Sequence, residues 1–187
     1  AHEVSHGYMA QYLGDPTARL AGRLTLNPLR HIDPIGSLLV PIVMSLLPGG
    51  IIFGWAKPVP YNPYNLRDQK WGDAKVALAG PLTNLGIAVI FGMLIRFGGE
   101  VIAPEMVSLM HLIVLINIIL AIFNLVPIPP LDGSKGLFNL LPLRYRYIGE
   151  YIERYALVLI LVFAFFLWKF FLPLIYFLYA LLVGGTA

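Results

Sequence analysis

The stretch VSLMHLIVLINIILAIFNLV, from Val107 to Val126, decides the fold class. It runs for 20 residues without Asp, Glu, Lys or Arg, and a helix of that length matches a hydrocarbon core roughly 30 Å thick. Of all 187 residues, 58% are hydrophobic and 12% are charged, whereas a soluble domain carries about 25% charged residues. The composition therefore predicts an all-α integral membrane protein.

Other apolar segments predict further helices of the same bundle. Ala74 to Phe97 reads as a second clean span. Tyr155 to Val183 reads as two helices broken near Pro173, with one long kinked helix as the alternative. The run 35–55 contains prolines and glycines, which favour a bent or re-entrant segment. Together these segments predict one membrane-embedded, multi-span domain over residues 1–187.

The charged residues fit a membrane protein and leave its orientation open. Lys and Arg fall in the polar gaps between apolar runs, where lipid headgroups and topology place them. The net charge of +3 therefore gives no reason to expect nucleic acid as a partner. If segment 35–55 spans the bilayer, the positive-inside rule places loops 57–73 and 127–154 in the cytoplasm; if it is re-entrant, the assignment inverts.

The first ten residues, AHEVSHGYMA, contain the pattern H-E-x-x-H. His2 and His6 are four residues apart and share one helix face, so both imidazoles can reach one metal ion. Glu3 lies beside them, which suits a general base. A pair of polar residues on a surface helix is the alternative, but ionisable groups near a membrane are costly and are usually functional.

A catalytic zinc site keeps three protein ligands and one open position. The chain has no cysteine, so the third ligand must come from His31, His111 or a carboxylate. Asp132 stands out because it lies in FNLVPIPPLDG, where a proline-rich break follows the uncharged span. Gly133 after it suits a tight turn that aims the carboxylate. A simple turn residue is the alternative for Asp132.

Three motifs in order, HEVSH, GPLTN and FNLVPIPPLDG, resemble the site-2 protease family of intramembrane zinc metalloproteases. The segments between them resemble its small prokaryotic branch without a PDZ domain. The resemblance implies one zinc ion bound by His2, His6 and Asp132, with Glu3 as general base and acid. It also implies a protein of the prokaryotic cytoplasmic membrane, acting within the lipid bilayer. Its expected substrates are transmembrane helices of other membrane proteins.

The resemblance also implies active-site roles for two amides. Asn124, eight residues before Asp132, would hold the substrate backbone or the oxyanion, and Asn84 of GPLTN would organise the substrate or the site. From the residues alone, a buried amide in an apolar helix must face a partner or a cavity. A hydrogen bond between helices is the alternative for Asn84 and the preferred interpretation of Asn117. His111 is expected to be a packed or interfacial histidine.

The stretch RHIDPIG, which begins at Arg30, contains two further polar candidates. Asp33 before Pro34 predicts a helix N-cap with proline in the first turn. The role of His31 remains open. It could support the metal ligands, contact the substrate, or have no part in the site.

Two other functions stay open from sequence. One is a catalytically silent membrane scaffold or binding protein with the same fold. The other is a channel or transporter that uses the intramembrane polar residues as an ion path. The substrate and the oligomeric state cannot be predicted.

A helix from Ala1 to about Leu13 is about 20 Å long, too short to cross a bilayer. The family places apolar residues before this motif. We therefore expect the chain to lack N-terminal transmembrane residues.

Overall fold

The computed structural model describes residues 1–46, 54, 56–98, 101–140 and 151–185. These ranges are helical or irregular and contain no strand. The α-helices are α1 His2–Tyr12, α2 Thr17–Leu20, α3 Val40–Ser45, α4 Gly72–Gly98, α5 Pro104–Leu125, α6 Asp132–Leu140, α7 Ala156–Val162 and α8 Leu172–Val183. Short 3-10 turns cover Pro28–His31, Pro63–Asn65 and Trp168–Phe171, and π turns cover Pro34–Leu39 and Phe163–Leu167.

Three helical stretches are long and apolar enough to cross a membrane: α4, α5 and Val158–Val183. The predicted spans at 74–97 and 107–126 are thereby confirmed. The third stretch runs from α7 through a π turn and a 3-10 turn into α8 without leaving helical conformation. The prediction of two helices broken near Pro173 is therefore wrong. The alternative of one long helix is correct, and this helix is irregular. Pro173 occupies the first turn of α8, where a missing N–H costs little.

The described part of segment 35–55 begins with a capped turn. The Asp33 carboxylate accepts hydrogen bonds from the backbone N–H groups of Ile35 at 2.9 Å and Gly36 at 2.7 Å. This confirms the predicted N-cap, with Pro34 directly after it. Residues 47–53 and 55 lie outside the described residues, so the prediction that this segment bends or re-enters stays a prediction.

Helix α4 is the centre of the bundle and packs against α1, α5, α6 and α8. Its Gly92 meets α8 so closely that a Cβ there would lie 2.8 Å from Leu182 Cβ. Small residues allow this close approach between membrane helices. The main buried cluster at the α4, α5 and α8 contact consists of Ala88, Ile95, Val114, Ile118, Ile122 and Ile175. This packing fixes α4 as the platform on which the N-terminal helix lies.

Two polar residues of α5 have roles unrelated to the metal site. His111 Nδ1 is hydrogen-bonded to the Tyr179 hydroxyl of α8 at 2.5 Å, so it is a packed histidine, as predicted. Asn117 donates to the Ile113 carbonyl at 2.8 Å, within its own helix. The preferred interpretation of Asn117 as a link between helices is therefore wrong, because the amide bonds to the preceding helical turn instead.

Candidate metal centre

His2, His6 and Asp132 come together at the contact of α1 and α6. His2 Nε2 and His6 Nε2 lie 3.1 Å apart, and they lie 3.1 Å and 3.2 Å from Asp132 Oδ2. A tetrahedral zinc site with ligand distances of about 2.0–2.1 Å has ligand–ligand distances of about 3.3–3.4 Å. The three atoms form a nearly regular triangle whose sides are slightly shorter than these distances. Among the described residues, this is the cluster whose side chains could hold a metal ion.

The partner of Nδ1 in each histidine ring determines which ring nitrogen carries the proton. His6 Nδ1 lies 2.7 Å from the Val76 carbonyl of α4, so Nδ1 donates and the Nε2 lone pair faces the cluster. His2 Nδ1 lies 3.2 Å from Asn84 Nδ2. The amide oxygen and nitrogen of an asparagine exchange positions by a half rotation. With its oxygen towards His2, Asn84 accepts the Nδ1 proton and leaves Nε2 free for a metal.

The carboxylate of Asp132 is held in its charged form. Burial raises the pKa of this group, but when no metal is bound and the His2 and His6 rings carry protons at Nε2, the hydrogen bonds and positive charge of these rings outweigh that effect. The net result is a pKa well below the usual range of an aspartate. Asp132 therefore offers a charged oxygen beside two ring nitrogens, a donor set that suits zinc.

Two glycines allow the helices to bring these side chains together. A Cβ at Gly80 of α4 would lie 2.6 Å from His2 Nε2 and would also collide with the His6 ring. A Cβ at Gly133 would lie 2.5 Å from the Leu125 carbonyl carbon. The prediction that Gly133 makes a tight turn is wrong: it lies in the first turn of α6, and its lack of a side chain serves close packing against the end of α5.

Glu3 lies next to the cluster on α1. Its Oε2 accepts a hydrogen bond from the Val59 backbone N–H at 3.2 Å. Glu3, His2 and His31 line one cavity of about 330 Å³. The His31 ring is anchored through Nε2 to the Thr25 carbonyl at 2.8 Å. The neutral N–H of Val59 thus holds Glu3 at the wall of this cavity. The cavity is large enough for part of a ligand.

The second amide is not in this cluster. Asn124 donates to the Leu120 carbonyl at 2.9 Å, within α5, and the contacts described for it do not include His2, His6 or Asp132. Its predicted role in the active site stays a prediction. Leu125, the next residue, lines a second cavity of about 360 Å³ together with Asp132.

The sequence interpretation missed the residues that hold the cavity wall. From sequence, the loop 57–73 was considered only for its charges, but its Val59 and Leu66 are buried, 6% and 3% exposed. Arg23 and Asp15 are buried beside it, 9% and 0% exposed. Neither residue is in a periodic motif, and each has a partner among backbone groups far away in the chain. The one sequence signal that could have marked Arg23 and Asp15 is their charge in a mostly apolar chain.

Comparison with known proteins identifies the family of the chain. Residues 93–167 match the model of the family described as "Peptidase family M50". This stretch includes Asp132 and Asn124.

The chain is 37% identical over 168 residues to a Bacillus subtilis protein named "Putative zinc metalloprotease YwhC", which covers 86% of this chain and 73% of that protein. It is 33% identical over 136 residues to a Mycolicibacterium smegmatis protein named "Putative zinc metalloprotease Rip2", covering 73% and 51%. Rip2 of Mycobacterium tuberculosis is 30% identical over 162 residues, covering 86% and 61%. The chain thus spans between half and three quarters of the lengths of these relatives. No solved structure matches the chain.

Proposed function

The chain belongs to peptidase family M50, the site-2 protease family of membrane metalloproteases, and we propose that it cleaves transmembrane segments of other membrane proteins with one zinc ion. In this proposal His2, His6 and Asp132 bind the zinc, and Glu3 is the general base and acid. The protein would work in the cytoplasmic membrane of a prokaryote. Its relatives named above come from bacteria.

The observation that carries the proposal is the convergence of three ligand atoms within 3.2 Å of one another. The pattern around them is that of a hydrolytic site, because Glu3 lies beside the ligands and lines a cavity with His2. A merely structural zinc site is usually closed by four protein ligands. Three ligands with a neighbouring carboxylate and a cavity leave a position for the reacting groups.

Each residue then has a defined task. Zinc at such a site supplies Lewis acidity, which lowers the pKa of water towards about 7 and polarises a carbonyl. Glu3 takes the proton of the attacking water and returns it to the leaving amide nitrogen. Asn84 keeps His2 in the tautomer that presents Nε2, and the Val76 carbonyl does the same for His6. Asn124 is proposed to contact the substrate backbone.

The proposed substrate class follows from the location of the site. Helix α4, one of the three candidate membrane spans, packs directly against the helix with His2 and His6. A substrate peptide bond at this depth belongs to a transmembrane helix, whose N–H and C=O groups are satisfied internally. Cleavage therefore requires local unwinding of that helix beside the site.

The test is cleavage of a reporter with one transmembrane helix by purified wild type and Glu3→Gln, with zinc measured in both. We expect one zinc per chain in both proteins and loss of cleavage by about 100- to 10,000-fold in Glu3→Gln, in line with the rate factors of general acid–base catalysis. Equal cleavage by both proteins would refute the role of Glu3. Bound zinc with no cleavage by either protein would favour the silent scaffold.

A further inference from the structure

Arg23 is a buried cation whose hydrogen bonds go to the backbone of two separate segments. It is 9% exposed, and its guanidinium donates to the carbonyl of Arg30 through Nη1. Through Nη2 it donates to the carbonyls of Lys57 at 2.7 Å and Pro58 at 3.3 Å. Burying a guanidinium is unfavourable unless such bonds compensate, and its fork geometry allows one side chain to hold several carbonyls at once.

The segment that Arg23 holds continues directly to Glu3. Val59 follows Pro58 and donates its N–H to Glu3 Oε2 at 3.2 Å. The neighbouring Pro58 and Pro60 have no N–H, so Val59 provides the donor of this tripeptide. The Val59 side chain packs on α1, where a Cβ at Gly7 would lie 2.8 Å from Val59 Cγ1.

A second bond ties the two held segments to each other. The Lys57 N–H donates to the His31 carbonyl at 2.9 Å. His31 directly follows Arg30, whose carbonyl accepts the hydrogen bond from Arg23. His31 and Glu3 line the same cavity. Arg23 thus lies behind the wall of the cavity, at the place where its two backbone segments meet.

We propose that Arg23 is a positioning residue for Glu3: by fixing the Lys57 and Pro58 carbonyls, it holds the Val59 N–H against the Glu3 carboxylate. The inference rests on the proposed function, in which Glu3 moves the proton. The Val59 bond engages Oε2 and orients the carboxylate so that Oε1 takes the proton. A displacement of about 1 Å in such a group costs about 100-fold in rate, so a fixed partner for Glu3 has a kinetic consequence.

Val59→Pro tests the last link, because proline has no N–H and places a ring carbon where the Val59 N–H meets Glu3. We expect kcat for the reporter helix to fall by about 10- to 100-fold, with KM and zinc content unchanged. Val59→Ala keeps the N–H and is the comparison; its expected loss is less than about threefold. A wild-type kcat in folded, zinc-loaded Val59→Pro would overturn the proposal.

Arg23→Lys and Arg23→Ala test the first link, with exposed Arg19→Ala as the control for loss of a cation. A lysine cannot bridge the two segments in the same way, so both Arg23 variants should lower kcat by about 10- to 100-fold at unchanged KM. Combining Arg23→Lys with Val59→Pro should cost no more than Val59→Pro alone, because both act through one bond. Multiplied losses would mean that Arg23 has a general structural role, and would overturn the proposal.

The same assay separates this inference from the proposed function. If Glu3→Gln cleaves as well as wild type, the proposed function fails and the inference fails with it. If Glu3→Gln is inactive while folded Val59→Pro is fully active, the inference alone fails. If Arg23→Ala does not fold, the kcat values of Arg23→Lys and Val59→Pro decide whether the inference holds.

Discussion

His2 Nε2 lies 3.1 Å from Asp132 Oδ2, although 130 positions separate the two residues in the chain. The contact joins the first helix to the start of α6, and α4 packs against both of these helices. The site therefore depends on the packing of three helices, and substitutions in α4 are expected to affect metal binding although they replace none of the three proposed ligands.

Gly80→Ala should abolish metal binding. The added methyl group would lie 2.6 Å from His2 Nε2, well inside van der Waals contact, and would push α1 away from α4. We expect a loss of bound zinc and of cleavage by at least about 100-fold, since a 1 Å misplacement has that effect. Zinc content by mass spectrometry and the cleavage rate are the measurements.

Gly86→Ala is the matched control for that variant. It lies on the same helix, and a Cβ there meets open space, so both zinc content and activity should stay at wild-type levels. A Gly80→Ala protein with full zinc and full activity would show that the two helices do not need this close approach.

Asn84 variants should separate hydrogen bonding from packing at His2. Asn84→Asp keeps an oxygen acceptor for the His2 Nδ1 proton, whereas Asn84→Leu has a similar size and no acceptor. Loss of such a supporting bond typically costs about 10- to 100-fold in metal affinity or activity. We expect that loss in Asn84→Leu and a much smaller one in Asn84→Asp, measured by competition with a zinc chelator. Equal affinities of the two variants would exclude the proposed support.

Asp15 should make stability depend on acid pH. It is fully buried, and burial raises its pKa. Hydrogen bonds from Thr17, Asn65 and the Asn62 N–H outweigh that effect, so its pKa in the folded protein lies below the usual range. A carboxyl group whose pKa falls on folding stabilises the protein above its unfolded pKa of about 3.9. That contribution is lost as the pH falls through the lower folded value.

Asp15→Asn should therefore lower the free energy of unfolding at pH 7 by about 1–3 kcal/mol, the cost of disrupted bonds to a charged group. The difference from wild type should shrink as the pH falls from about 5 towards 3. Unfolding in detergent across this range is the measurement, with the exposed Glu105→Gln as control. A difference that stays constant with pH would contradict the assignment.

The membrane spans and the pairing of His2 with His6 were predictable from local sequence. Val107 to Val126 is uniformly apolar, and the spacing of His2 and His6 fits one helix face. Asp132 could be selected because the proline-rich break after a span is unusual in a membrane. Each of these signals lies within a short stretch of sequence, so it can be recognised without knowledge of the tertiary structure.

The supporting residues could not be predicted in the same way. Arg23 and Asp15 bond to backbone groups more than 30 positions away in irregular segments, and no periodic pattern marks such contacts. The glycine at position 80 was part of a recognised motif, but its reason became visible once both histidine rings were found against it. Gly133 was assigned to a turn because glycine is common in turns. In the structure, close packing of α6 against the end of α5 requires a glycine at this position.

The most direct test of the central claim is the number of zinc ions per chain in wild type and in ligand variants. We predict one zinc per chain in wild type and in Glu3→Gln, and far less in His2→Ala, His6→Ala and Asp132→Ala. Asp68→Ala, which loses a half-buried carboxylate paired with Lys75, should keep its zinc. Full zinc in the Asp132→Ala protein would contradict the three-ligand site.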